Sequence, residues 1–154
     1  MKMRNKDELK SDILQYLSKH NILTMATSDL EGNPDATALE YANDELDVFV
    51  SVRKHSKKVS NIKENPKVFY EIHDEIEIDW SSVKTIKAIQ ASAIPEIYSE
   101  TDSEFDNYFN KMLKKYPIFS KLNKKKRVIV KFTPKIIWYL NYREKMFSRE
   151  RFEL

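Results

Sequence analysis

The sequence predicts a mainly β domain, a β-barrel or sandwich of six or more antiparallel strands with flanking helices. Three observations predict it. After one helical stretch the chain turns, at Ile22, into short runs rich in Val, Ile, Thr, Tyr and Phe separated by turn residues. The first connections between those runs are too short for parallel neighbours, which need a crossover of a dozen or more residues. Finally, 154 residues with 41% hydrophobic and 33% charged content suit one core and one domain spanning residues 1–154.

Each element has a local cause. Asn5-Lys6-Asp7-Glu8 reads as a capping box, and Leu9, Ile13, Leu14 and Leu17 recur at helical spacing, which predicts a helix over residues 6–19. Strands are expected over 22–27, 34–42, 46–52, 67–73, 83–98, 126–133 and 136–142, the fifth bent at Pro95. The cluster Asp29-Leu30-Glu31-Gly32-Asn33-Pro34 makes the first turn, and Asn43-Asp44-Glu45 the second. Two more helices interrupt the strands. One runs over 56–64 and is ended by Asn65-Pro66. The other runs over 103–116 with Phe105, Phe109, Met112 and Tyr116 near one face. The residues after 142 are expected to fray by default, the alternative being a tail that folds back and brings Arg149 and Arg151 to a pocket.

Composition removes several function classes. The single glycine, Gly32, stands where average usage of about 7% would give about eleven, so glycine-rich phosphate loops are excluded. With no cysteine there are no disulfides, catalytic thiols or thiolate-held metals, which fits a reducing cytoplasm. The longest apolar run, Ile136 to Leu140, is far short of the roughly 18 residues that span a bilayer. Net charge is +3 from 27 basic and 24 acidic residues, so no global field marks a nucleic-acid binder. The run Lys124-Lys125-Lys126-Arg127 reads either as a solvated turn or as a polyanion contact. His20, His55 and His73 lack metal-ligand spacing, and no nucleophile and base pair stands out.

One segment carries chemistry. In Leu46-Asp47-Val48-Phe49-Val50-Ser51-Val52-Arg53, alternation puts the aliphatic residues on one face and Phe49, Ser51 and Arg53 on the other. A hydroxyl and a guanidinium are therefore expected to leave the sheet together. Ser56 then opens a helix whose first turn holds Lys57 and Lys58, at the end where the helix dipole disfavours cations by a few tenths of a kcal/mol each. An anion among them reverses that cost. Arg53, Ser56, the lysines and the free N–H groups of the first turn make a monophosphate site without glycine; a solvated basic helix start is the alternative.

The stretch Ser56-x-Lys58-x-x-Asn61-Ile62-x-x-Asn65-Pro66-x-Val68 resembles the flavin-phosphate segment of the pyridoxamine 5′-phosphate oxidase-like, FMN-binding split-barrel family. The element order from about residue 13 to 142 is similar as well, with Ala26-Thr27 in the first strand and Gly32 and Pro34 in the first hairpin. The resemblance implies a six-stranded antiparallel Greek-key split barrel that forms a homodimer, with FMN in a groove between subunits. It implies Lys58 as the phosphate lysine, Ser56 as the phosphate hydroxyl, and Ser51 in place of a family Thr or Ser. Arg53 and Lys57 become further phosphate contacts, and Gln90 and Trp138 approach the flavin ring. Catalytic residues are left unassigned, because the flavin supplies the redox chemistry. The family's vitamin B6 oxidases carry Arg and Lys on the strand matching residues 35–41 and a late Arg-x-His motif. This chain has Ala36-Thr37-Ala38-Leu39-Glu40, and its Arg143 to Arg149 tail has no histidine. The expectation is a cytoplasmic FMN oxidoreductase or flavin reductase acting on another small molecule, with a nicotinamide donor left open. A heme- or F420-binding split barrel, and a non-catalytic module binding nucleic acid through its lysines, are the alternatives.

Overall fold

The computed structural model describes residues 4–154; the first three residues of the expected domain lie outside the described residues. Helix α1 (Lys6–Lys19) opens with the capping box: the Asn5 side chain accepts from the Asp7 amide at 2.7 Å, and Glu8 accepts from the Asn5 amide at 3.3 Å. Strands β1 (Ile22–Ser28), β2 (Pro34–Asp44) and β3 (Asp47–Arg53) then form an antiparallel meander. Gly32 sits at φ +85° in the β1–β2 turn, a conformation open to it for want of a Cβ. Around that turn Asp29 accepts from the Glu31 and Asn33 amides and from the Asn33 side chain. The second hairpin is tighter than the sequence implied. Asp44 pairs with Asp47, so Glu45 and Leu46 alone make the turn, with Glu45 at φ 51°.

Helix α2 (Lys57–Glu64) crosses from β3 to β4 (Val68–His73), which pairs with β1. The spatial order β4-β1-β2-β3 is a Greek key. β5 (Lys87–Ser99) pairs with β4, and β6 (Arg127–Asn141) pairs with β5 and, through its first half, with β3. That last pairing closes a six-stranded antiparallel barrel. Three sequence expectations are corrected here. Val83–Thr85 is a short 3-10 turn rather than strand, because the Asp79 side chain gathers the Ser81 and Ser82 amides and ties the chain into a local loop. The two strands expected at 126–133 and 136–142 are one, bent by a bulge beside Pro134 rather than broken. The tail does not fray: β7 (Arg149–Glu153) adds to the second half of β6 and seats Phe152, 4% exposed, in the core.

The barrel interior is filled by Leu23, Met25, Tyr41, Val48, Val50, Val52, Val68, Tyr70, Ile72, Ile89, Val130 and Phe132, among others. The β6 bulge resets alternation, so Val128, Val130 and Phe132 point inward before it and Ile137 and Tyr139 after it. α1 covers the end where β1 starts, with Leu9, Ile13, Tyr16 and Leu17. α2 covers the end where β1 finishes: Val59 and Ile62 face the core, while Asn61 and Asn65 donate at 3.1 Å to the Thr27 and Ser28 hydroxyls. Helix α3 (Ser103–Lys115) lays Phe105, Phe109 and Met112 over Phe49, Ala42 and Ile129 outside the barrel. This second apolar cluster covers both β3 and β6, so the strand pair that closes the barrel is packed on both faces. No described helix is long and apolar enough to cross a membrane.

Candidate functional site

The seven residues singled out from sequence fall into two groups. Ser51, Arg53, Ser56, Lys57 and Lys58 lie where β3 hands over to α2; Gln90 and Trp138 face each other on β5 and β6. Among the described residues no hydrogen bond or ring contact joins the groups.

At the first group the chain turns tightly, the Ser56 amide donating to the Arg53 carbonyl at 3.2 Å, and the Ser56 carbonyl begins the α2 ladder. Ser56 has the extended backbone of an N-cap, but its side chain caps nothing. Its Oγ is buried with no hydrogen-bond partner among the described residues. An orphaned hydroxyl of this kind is costly unless a group outside the chain completes it. The first turn of α2 holds no acidic residue. Lys57 lies close enough to Asp29 to help hold that carboxyl below its usual range, after the hydrogen bonds from Asn33. Lys58 makes no ion pair among the described residues and is partly covered.

Ser51 departs from expectation. It shares a face with Arg53, as alternation requires, but it is 5% exposed and does not leave the sheet as a free hydroxyl. Arg127 covers it: Nε donates to the Ser51 hydroxyl at 2.8 Å and a terminal nitrogen donates to the Ser51 carbonyl at 2.7 Å. Arg127 is the register partner of Arg53 across β3 and β6. Burial, and then the Arg53 charge, lower the pKa of Arg127, with Glu40 acting the other way. Arg53, exposed, borders an open cleft of about 640 Å³ that also has Lys54, His55, Leu122, Asn123, Lys125, Lys126 and Arg127 on its walls. The sequence drew attention to Lys124–Arg127 as a run, but its meeting with Arg53 depends on the pairing of β3 with β6.

The second group is an aromatic and cationic face. Trp138 points outward while Tyr139 points into the core, the alternation of a strand. Arg149, on β7, donates to the Gln90 carbonyl oxygen at 2.7 Å and lies 4.9 Å from the Trp138 ring. Phe69, 39% exposed, also stacks on Trp138, at 5.9 Å and 30°. Phe69 also borders a shallow groove of about 490 Å³ with Thr27, Pro66, Ser92 and Lys135. Sequence reasoning missed Phe69, which reads locally as an ordinary strand residue. The other histidines are engaged elsewhere: His20 contacts Asp74 at 2.8 Å and stacks on Tyr16, and His73 pairs with Glu71.

A family model described as Pyridoxamine 5′-phosphate oxidase matches residues 9–141. No curated protein is a significant match. Among solved structures, a conserved hypothetical protein from Mycobacterium tuberculosis superposes with a TM-score of 0.73 at 19% identity, over 91% of this chain and 89% of that one. A heme-binding protein from Mycobacterium smegmatis gives 0.75 at 12% identity, over 99% of this chain but 60% of the relative. The heme storage protein HutZ from Vibrio cholerae gives 0.67 at 16% identity, over 82% and 89%. At these identities the likeness is one of fold.

Proposed function

The chain belongs to the pyridoxamine 5′-phosphate oxidase family, and on that premise we propose that it binds FMN as a homodimer and acts as an oxidoreductase or flavin reductase on a small molecule. The observation that carries the reading is the start of α2, where a buried, unpartnered Ser56 hydroxyl stands beside two lysines at a helix end that favours an anion. These residues suit a phosphate. Ser56 and Lys58 would hold it, with Lys57 contributing charge; Ser51 is occupied by Arg127 and has only a positioning role. Gln90, held by Arg149, and Trp138, in contact with Arg149 and Phe69, would present an amide and a flat ring surface to the flavin. Bound there, FMN would supply hydride-transfer chemistry. The protein's part is to hold the phosphate, fix the ring and exclude water from it.

The exposed Phe69, Ile94 and Ile22 leave apolar surface on the outer sheet that a second copy would cover, which supports the dimer. Vitamin B6 phosphate is not the proposed substrate, since the β2 stretch Ala36 to Glu40 offers no cation for its phosphate. The visible spectrum of the purified protein, followed by the mass of the released ligand, tests the assignment. Flavin absorption in the visible, or its appearance on reconstitution with FMN, is expected. An intense heme band would place the chain beside its heme-binding structural relatives instead, and the mass of F420 would identify a deazaflavin.

A further inference from the structure

The cleft between the end of β3 and the start of β6 lies beside the α2 site but is not part of it: Ser56, Lys57 and Lys58 do not border it. Five cationic side chains do, Arg53, Lys54, Lys125, Lys126 and Arg127, and none of them has a carboxylate within ion-pair distance among the described residues. Lys124, next to them, is already spent on Asp106. The chain as a whole carries only +3, so the molecule outside this cleft is net negative. The concentration is local, and it is built by pairings distant in sequence. Arg53 and Arg127 stand directly opposite in an antiparallel ladder, an arrangement that costs stability when both are charged. The Lys54 amide donates to the Lys126 carbonyl at 3.1 Å, which fixes the two basic segments against each other. Two bonds to Ser51 hold the Arg127 guanidinium in place and leave its remaining nitrogen free to donate.

We propose that this cleft binds the diphosphate of a nucleotide. Like charges held together, one of them on a guanidinium that is already immobilised, match an anion carrying more than one charge. The volume of about 640 Å³ lies within the range of small-molecule sites, and Leu122 and the His55 ring give its wall an apolar and a flat element for a nucleoside. A nucleic acid strand would instead be served by a basic stripe continuing across the surface, and the net negative charge of the remainder argues against one.

Isothermal titration of the full-length protein at low salt, with ADP, pyrophosphate and adenosine as probes, tests the proposal. ADP and pyrophosphate should bind one per chain and compete, and adenosine should not bind at up to about 1 mM. Lys125 and Lys126 are exposed, so the double variant Lys125→Glu/Lys126→Glu should fold, which circular dichroism checks. It should weaken ADP by at least about tenfold. Lys121→Glu, just outside the cleft, should leave ADP affinity within about twofold. Lys58→Ala should also leave ADP unchanged, so that failure here and failure of the FMN reading are separable. No heat with either phosphate probe, equal affinities for the wild type and the double variant, or adenosine binding as well as ADP would each overturn the assignment. So would a single-stranded oligonucleotide that binds with a steep salt dependence and is not displaced by ADP; that result makes the cleft a nucleic-acid surface.

Discussion

Replacing Lys58 by alanine tests the cofactor assignment where it is most exposed to error. The helix start offers a phosphate three kinds of donor: the backbone amides of the first turn, the orphaned Ser56 hydroxyl, and the two lysines. Lys57 is shared with Asp29 through space, whereas Lys58 has no acidic partner among the described residues, so no ion pair has to break when an anion arrives. A charge-assisted hydrogen bond of that kind contributes about 1.5 to 3 kcal/mol. Lys58→Ala should therefore weaken FMN by about ten- to a hundredfold at fixed salt. Riboflavin has the same ring and no phosphate, so its affinity should change far less, which separates a phosphate contact from damage to the fold. Lys63, in the last turn of the same helix where its charge suits the dipole, is the control, and Lys63→Ala should leave FMN affinity nearly unchanged. Quenching of flavin fluorescence on titration reads all of these. Equal FMN affinity in the wild type and Lys58→Ala, or an equal loss for FMN and riboflavin, would refute a phosphate at the start of α2.

Three further outcomes follow from the fold. Phe152→Ala should cost about 3 to 5 kcal/mol in urea unfolding, because the ring is a core member supplied by the last strand and its loss leaves a cavity. Asp74→Ala should cost about 1 to 3 kcal/mol, since it removes the acceptor of the His20 ring and of the Lys87 amide, while the Tyr16 hydroxyl keeps the Lys87 carbonyl at 3.0 Å; hydrogen exchange should quicken first at the start of β5. Lys115, half-buried among the carbonyls of His20 and Tyr41 and the rings of Tyr41 and Tyr116, has its pKa lowered by burial to about 8. Between about pH 8 and 10 the unfolded chain holds this proton while the native protein releases it, so stability should rise with pH in that window. Lys115→Met should flatten the rise in denaturation midpoints measured across it. Above that window Tyr16, Tyr41 and Tyr70, whose pKa values burial raises, reverse the trend.

What could be read in the sequence was local, and what could not was decided by pairing at a distance. The capping box, the three helices and most strand positions follow from spacing and turn residues within a few positions of each other. β7 escaped because Arg149-Glu150-Arg151-Phe152-Glu153 carries one apolar residue, so its alternation reads as a charged tail. It is a strand because the bulge beside Pro134 turns the second half of β6 away from β3 and leaves an edge free to pair. The same bulge explains why two strands were expected where there is one: apolar alternation shifts phase across it, and a phase shift looks like a break. Val83-Lys84-Thr85 was misread for the opposite reason, having strand-like residues in a loop tied by Asp79.

The candidate site divides along the same line. Residues 51–58 were legible because strand, turn and helix start are contiguous, and a basic first turn is unusual in any context. Alternation also put Ser51 and Arg53 correctly on one face. It had no means of showing that β6 pairs with β3, that Arg127 would take the Ser51 hydroxyl, or that Arg53 would share a cleft with the basic run. The consequence is chemical. A single cluster of Arg53, Ser56 and the lysines would have served one phosphate. Split as they are, the cations form two separately addressed groups, one with an unsatisfied hydroxyl at a helix dipole and one with a guanidinium fixed beside another. Removing a charge from one group should leave ligand binding at the other nearly untouched, whereas a single shared site requires Lys58→Ala and the Lys125/Lys126 charge reversal to weaken the same ligand.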